Sequence, residues 1–283
     1  MSLKFQIRGL HCAYGQGNEP VLLIEELDIP EREVLFFLGV SGVGKSTLIE
    51  SLGLMSDTIV PKNGASLKYF HGEEEVDMLQ LWNSGGKKMA DFRANQYSFI
   101  FQSTNLFNDL PILDNVCLPA LNQTALKPLE IEEKALKYLR QLLVNVSDDD
   151  FKTKMAGALS GGQKQRLAFV RALTSPHNVM FCDEPTGNLD AGNAHRLMGM
   201  LKSSIQEENS TALVVSHDIP LALDFADRII LMTKQDNPEG GSTGVVLSEN
   251  QFVKQDNGGW KSKSQSMTRF AFNQFLVNHF NSN

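Results

Sequence analysis

Disulfide bonds cannot organise this chain. Its three cysteines, Cys12, Cys117 and Cys182, are odd in number, far apart and without metal-type spacing, so they read as reduced thiols of a cytosolic protein. Basic charge is also scarce: 26 Lys and Arg against 33 Asp and Glu leave a net charge of -7. No broad positive field is there to attract nucleic acid or an anionic membrane, and any phosphate must be held by a local cradle. Long apolar runs are missing too. None approaches the roughly eighteen residues of a membrane-spanning helix, and the N-terminus carries no apolar signal segment. Work at a membrane would therefore need another chain to supply the membrane part. No internal repeat is visible. What remains is an ordinary composition, 42% apolar and 21% charged over 283 residues. That is enough for a normal core in one large domain or two small ones.

The stretch around which the rest is arranged is Gly39-Val40-Ser41-Gly42-Val43-Gly44-Lys45-Ser46-Thr47. It follows the apolar run Val34–Leu38 and precedes a helical pattern, Thr47–Leu52, the strand–loop–helix context of a phosphate-binding loop. Glycines let the backbone turn tightly and aim its N–H groups at phosphate oxygens. The start of the following helix adds unpaired N–H groups and partial positive charge. Lys45 can then reach the β- and γ-phosphates of a nucleoside triphosphate, and the Ser46 hydroxyl can ligate Mg²⁺.

Before that loop, Leu3, Phe5 and Ile7 alternate with Lys4, Gln6 and Arg8, and further strands are expected at Val21–Ile24 and Leu27–Pro30. After it, Pro61-Lys62-Asn63-Gly64 marks a turn, and the polar segment to Gln96 reads as a hairpin plus a solvated excursion. Tyr97–Phe101 is a buried-strand candidate ending at Gln102. From Ser103 to about Ser175 the pattern is helical, which predicts a separate helical subdomain inserted between sheet-forming parts. Strands return at Val179–Cys182, Ala212–Val215 and Arg228–Met232. Alternating strands and helices imply a mostly parallel α/β sheet. Beyond Gln235 the composition is that of a linker. Residues 236–283 are expected as linker and tail, with Phe272, Phe275, Leu276 and Phe280 at the spacing of a short helix packed on its own domain.

Two further stretches carry chemistry. The apolar run Val179–Cys182 leads straight into Asp183-Glu184. A carboxylate at a strand end beside a phosphate loop can hold Mg²⁺, and the adjacent Glu184 is placed to polarise an attacking water. Leu159-Ser160-Gly161-Gly162-Gln163-Lys164-Gln165-Arg166 joins a hydroxyl, two unhindered N–H groups and a helix start, a second anion-binding arrangement. One nucleotide cannot need two complete cradles from one subunit. The economical explanation is a head-to-tail dimer in which this loop closes over the partner's nucleotide, although Ser160-Gly161-Gly162 alone would also suit a helix N-cap.

From about Leu3 to Met232 the chain resembles the nucleotide-binding domain of ABC transporters, with Leu159–Arg166 similar to that family's signature motif. The resemblance implies a P-loop NTPase fold with an N-terminal antiparallel β portion and the helical subdomain inserted at about 103–175, in a nucleotide-binding domain of residues 1–235. It makes Gly39–Thr47 the Walker A loop and Asp183-Glu184 the Walker B pair. It places Tyr14 on the adenine, Gln102 at Mg²⁺ and the γ-phosphate, Asn188-Leu189-Asp190 in the D-loop, and His217 at the γ-phosphate. Taken singly, Tyr14 would also suit a packed loop aromatic, Gln102 a strand-end cap and His217 a surface or satisfied core residue. The wording Thr186-Gly187-Asn188-Leu189-Asp190 is similar to ATPases of the lipoprotein-releasing, macrolide-export and cell-division group. The implied protein is an ATP- and Mg²⁺-dependent hydrolase, cytoplasmic and peripheral on the inner face of the membrane. It would pair with a second ATPase subunit, most simply its own copy, and with integral-membrane transporter subunits. Leu106–Leu113 is apolar enough either to line a groove for a transporter helix or to be subdomain core. A soluble ABC ATPase acting on DNA or ribosomes would need a coiled coil, fused cassettes or basic arms, none of which is present. A regulatory module that only holds ATP would not need Glu184 and His217.

Overall fold

The computed structural model describes residues 2–15, 19–122, 127–187, 189–237 and 241–281. Strand β1 (Leu3–Cys12) pairs antiparallel with β2 (Leu22–Pro30). Strand β3 (Val34–Leu38) runs into the glycine loop and helix α1 (Lys45–Leu52). Next come β4 (Ile59–Val60), the hairpin β5 (Ser66–His71) and β6 (Glu74–Asp77), α2 (Met78–Asn83), α3 (Gly86–Gln96) and β7 (Tyr97–Ile100). Helices α4 (Ile112–Leu121), α5 (Pro128–Leu142), α6 (Asp148–Thr153) and α7 (Gly161–Thr174) occupy the middle of the chain. Then β8 (Val179–Asp183), α8 (Ala191–Glu207), β9 (Thr211–Ser216), α9 (Ile219–Phe225) and β10 (Arg228–Leu231) alternate. The chain closes with β11 (Thr233–Asp236), β12 (Ser242–Val246), β13 (Gln251–Lys254), β14 (Trp260–Lys261), β15 (Ser266–Met267) and α10 (Arg269–Asn281).

Two sheets result. One runs β11-β12-β2-β1-β5-β6 and is mainly antiparallel; the other runs β15-β14-β13-β10-β3-β9-β8-β7, with β10, β3, β9, β8 and β7 parallel. Strand β3 shows how they meet. Val34, Phe36 and Leu38 enter the core shared with the helices, while Leu35 and Phe37 enter the core between the sheets, where Leu48, Ile49 and Leu52 of α1 also pack. Successive side chains point to opposite faces, and both faces are covered, so the strand is apolar throughout. This is the α/β P-loop architecture expected, with the antiparallel portion formed around β1 and β2.

Several local expectations change. The two short strands expected at Val21–Ile24 and Leu27–Pro30 are one continuous strand, β2. Lys4 alternates outward in the sequence pattern yet is only 2% exposed, because its ammonium is 3.0 Å from Glu31 Oε1 and donates to the Phe70 carbonyl at 3.1 Å. After the hairpin, the excursion is not coil but α2 and α3. The Asp77 carboxylate accepts from the N–H groups of Leu79 and Gln80, capping α2, and Phe92 of α3 packs edge-on against Tyr69 and Tyr97.

The stretch expected as linker and tail instead adds strands to both sheets. Strand β12 pairs parallel with β2, and β13 pairs antiparallel with β10. Pro238, Glu239 and Gly240 of the linker reading lie outside the described residues. Aromatic packing holds the last segment: Phe252 and Trp260 contact Phe272 of α10, and Phe272 and Leu276 are fully buried. Gly244 is what lets β12 pass the phosphate loop, since a Cβ there would stand 1.9 Å from the Val43 carbonyl oxygen. Gly244→Val is expected to lower Tm by about 5–10 °C through forced backbone displacement. A thermal melt checks this; an unchanged Tm would contradict the close approach.

Candidate nucleotide site

Buried β3 delivers its last residue to the start of the glycine loop. At Gly39 a Cβ would meet Val43 Cγ1 at 2.7 Å and the Met232 carbonyl oxygen at 2.9 Å. Gly42 and Gly44 have φ of +73° and +89°, a region that favours glycine. Gly44 is also the N-cap of α1. The Lys45 ammonium folds back onto the loop, donating to the carbonyls of Gly39 at 2.8 Å and Val40 at 3.0 Å. Burial pulls its pKa down, against the carboxylates of Glu184 and Asp183, while the nearby Lys234 adds to the lowering. Ser46 Oγ donates to Asp183 Oδ2 at 3.3 Å, and burial pushes the Asp183 carboxyl up from its ordinary value.

Strand β8 carries Asp183 at its end, and the next residue bends sharply. Glu184 has φ +48°, a left-handed conformation uncommon outside glycine, and its N–H donates to the Val215 carbonyl at 3.0 Å. Strain of this kind is concentrated at functional sites. The bend turns the Glu184 carboxylate toward His217 at the end of β9, with Nδ1 3.0 Å from Oε1 and 2.9 Å from Oε2. The carboxylate is 16% exposed and the imidazole 74%.

These groups meet in one cavity of about 570 Å³. Of the residues singled out in the sequence, Gly39, Ser41, Gly42, Gly44, Lys45, Ser46, Thr47, Gln102, Asp183, Glu184 and His217 line it. Val43 does not; it is fully buried between the sheets. Tyr14 does not line it either: its hydroxyl is hydrogen-bonded to Thr47 Oγ1 at 3.1 Å and donates to Glu50 Oε2 at 2.9 Å. The Ser160–Gln163 loop lies away from the cavity of its own chain. There Ser160 N–H donates to Gln163 Oε1 at 2.9 Å, and Gln163 N–H donates to Ser160 Oγ at 3.4 Å, a capping box opening α7. A Cβ at Gly161 would meet nothing within 4 Å, so that face is open. Asp190 caps α8 by accepting from Asn193 N–H at 3.0 Å, and Asn188 lies outside the described residues. Sequence reasoning missed Val21 and Phe280, which also line the cavity. Only the folded C-terminus brings Phe280 there: α10 packs on α9, and Arg269 pairs with Asp224 at the far end of α9.

No group of three or more His, Cys, Asp or Glu side chains among the described residues could hold a metal by itself. The facing oxygens of Ser46 and Asp183 are what Mg²⁺ uses when phosphates and water complete its shell. No helix of the described residues is long and apolar enough to cross a membrane.

The ABC transporter family model matches residues 25–187. An ATP-binding protein of an ABC transporter from Methanocaldococcus jannaschii, MJ0796, is 30% identical over 231 residues, covering 80% of this chain and 92% of that protein. The lipoprotein-releasing system ATP-binding protein LolD 2 of Rhodospirillum rubrum is 33% identical over 229 residues, 80% of this chain and 93% of its own length. The dimeric structure of the MJ0796 cassette superposes with a TM-score of 0.63 at 27% identity, covering 80% of this chain and 93% of that one. A second structure of that cassette, post-hydrolysis and bound to ADP and Pi, gives 0.63 at 26% identity over the same shares. Phosphate loop, strand-end carboxylates and overall fold therefore agree with the matched family, and the chain belongs to the ABC transporters as an ATP-binding, ATP-hydrolysing subunit.

Proposed function

We propose that two copies of this chain close around two ATP molecules, and that closure and reopening drive a separate membrane subunit. The observation that carries the reading is the convergence of the Ser46–Asp183 and Glu184–His217 pairs on the cavity of the phosphate loop. Lys45 and the N–H groups of Gly39–Thr47 hold the β- and γ-phosphates. Ser46 and Asp183, with Gln102, hold Mg²⁺, which neutralises charge on the phosphates when bound. Glu184 takes the proton of the attacking water, and His217, held on Glu184, faces the γ-phosphate. Ser160 and Gly161 are exposed on the single chain, Gly162 and Gln163 half-buried, and the four complete the partner's site. Asp190 belongs to the same face, and Tyr14 borders the adenine side through its tie to Thr47. The chain is peripheral on the inner face of the membrane, held there by its transporter partner.

The partner's docking surface is a cavity of about 380 Å³ between the sheet core and the helical subdomain, lined by Ala90, Arg93, Phe99, Phe101, Pro119 and Arg171 among others. Arg171 is fixed there by donating to the carbonyls of Asn105 at 2.6 Å and Thr104 at 2.9 Å, and Phe99 stacks on Phe101 with centroids 5.5 Å apart. Of Leu106–Leu113, Ile112 and Leu113 enter the subdomain core, while Phe107 stays 57% exposed. Co-purification from detergent-solubilised membranes tests the reading by identifying a bound integral-membrane chain. Phe101→Asp is expected to cut recovery of that chain at least tenfold and leave the isolated subunit's ATPase within about twofold. Undiminished recovery would place docking elsewhere.

A further inference from the structure

The hairpin of β11 and β12 lies outside the 25–187 family match, yet it packs directly against the phosphate loop. Its register sets Lys234 opposite Gly244, and Gly244 is the residue that passes against the Val43 carbonyl. Gly244 N–H also donates to the Val21 carbonyl at 2.9 Å, and Val21 lines the nucleotide cavity. Thr243 Oγ1 donates to the Pro20 carbonyl at 2.7 Å, and Asn237 Nδ2 to Glu19 Oε2 at 3.0 Å. The hairpin is thereby tied by backbone and side-chain bonds to the Glu19–Val21 segment ahead of β2, while Gly244 packs against the phosphate loop at Val43. Lys234 Nζ consequently stands 3.8 Å from where a Cβ of Gly42 would be, beside a residue that lines the cavity. Among the described residues no ion pair or hydrogen bond of the Lys234 ammonium is found, and its charge is close enough to that of Lys45 to help lower the Lys45 pKa.

An ammonium held at the rim of a phosphate-binding loop, with its charge unspent, suits a polyanion arriving in that loop. We propose that Lys234 is a second nucleotide-binding cation, contacting the polyphosphate from the outer side of the loop while Lys45 acts from within. The inference rests on the nucleotide-binding reading of the cavity. It assigns the hairpin a role in affinity for charged nucleotides, with no part in the proton transfer by Glu184.

Equilibrium titration of the full chain with ATP, ADP and adenosine tests it. Lys234→Ala is expected to weaken ATP and ADP about five- to tenfold at low salt and leave adenosine unchanged. The loss should shrink as salt screens the charge. Lys234→Arg should restore wild-type affinity, and Lys234→Glu should weaken ATP beyond the alanine variant. Equal melting temperatures across the series show that the hairpin is intact. Unchanged ATP affinity in Lys234→Ala and Lys234→Glu, with Lys45→Ala losing binding, would overturn the role of Lys234 and leave the nucleotide site standing. If Lys45→Ala also bound ATP normally, the reading of the cavity itself would fall.

Discussion

Glu184→Gln should reduce ATP hydrolysis by about 10²–10⁴-fold, the contribution of a positioned general base, while leaving ATP affinity within about twofold. The substitution keeps the volume and the bent backbone of residue 184, where φ is +48°, so the cavity keeps its shape. One of the two side-chain oxygens becomes an amide nitrogen, and the group can no longer accept the proton of water. The hydrogen bond to His217 Nδ1 at 3.0 Å can still be made by the remaining oxygen. Lys45, Ser46 and Asp183 are untouched, so binding persists. Because hydrolysis is what reopens the pair, the variant should accumulate as an ATP-dependent dimer of twice 31.4 kDa. Turnover measured by phosphate release and mass by light scattering check both parts. Wild-type turnover would remove Glu184 from the reaction.

The second large effect is expected far from the phosphate loop. Ser160→Arg should lower hydrolysis at least about 100-fold, as when a donor aimed at developing charge is removed. Within its own chain Ser160 is only an N-cap, accepting from Gln163 N–H at 3.4 Å. Loss of such a cap costs about 1 kcal/mol of stability, which cannot silence a site in whose lining Ser160 takes no part. A small shift in Tm with a large loss of turnover therefore separates action on a partner from mere helix capping. Activity falling only in step with stability would leave the capping role alone.

The catalytic side of this protein is readable from its sequence because phosphate chemistry restricts both residue type and spacing. Glycines at 39, 42 and 44 answer to backbone geometry, and Asp183-Glu184 follow an apolar run because β8 is covered on both faces. What escapes a linear reading depends on contacts between distant segments. Phe280 reaches the cavity only because Phe272 and Leu276 anchor α10 beneath it. The strands β12 to β15 look like linker because their composition is polar, yet Trp260 and Phe252 give them a core. Helices α2 and α3 escape because they are short and sit among polar residues; what holds them is Asp77 as a cap, Phe92 against Tyr69, and Met78, Leu79, Leu81, Trp82 and Met89 packed on the core between the sheets. Tyr14 illustrates the reverse, a residue legible as an aromatic neighbour of the nucleotide whose hydroxyl the fold commits to Thr47 and Glu50.

The account turns on one loop serving the neighbouring chain, and cross-linking between two singly marked chains tests that most directly. Cys12, Cys117 and Cys182 are buried, so introduced thiols at the exposed positions 41 and 160 would react selectively. One Glu184→Gln chain carries Ser41→Cys, the other Ser160→Cys, and a short bis-maleimide is added with ATP, with ADP or with neither. The account predicts a covalent heterodimer that forms with ATP and not with ADP or without nucleotide. Chains that bind ATP and yet remain single under the same conditions would contradict it.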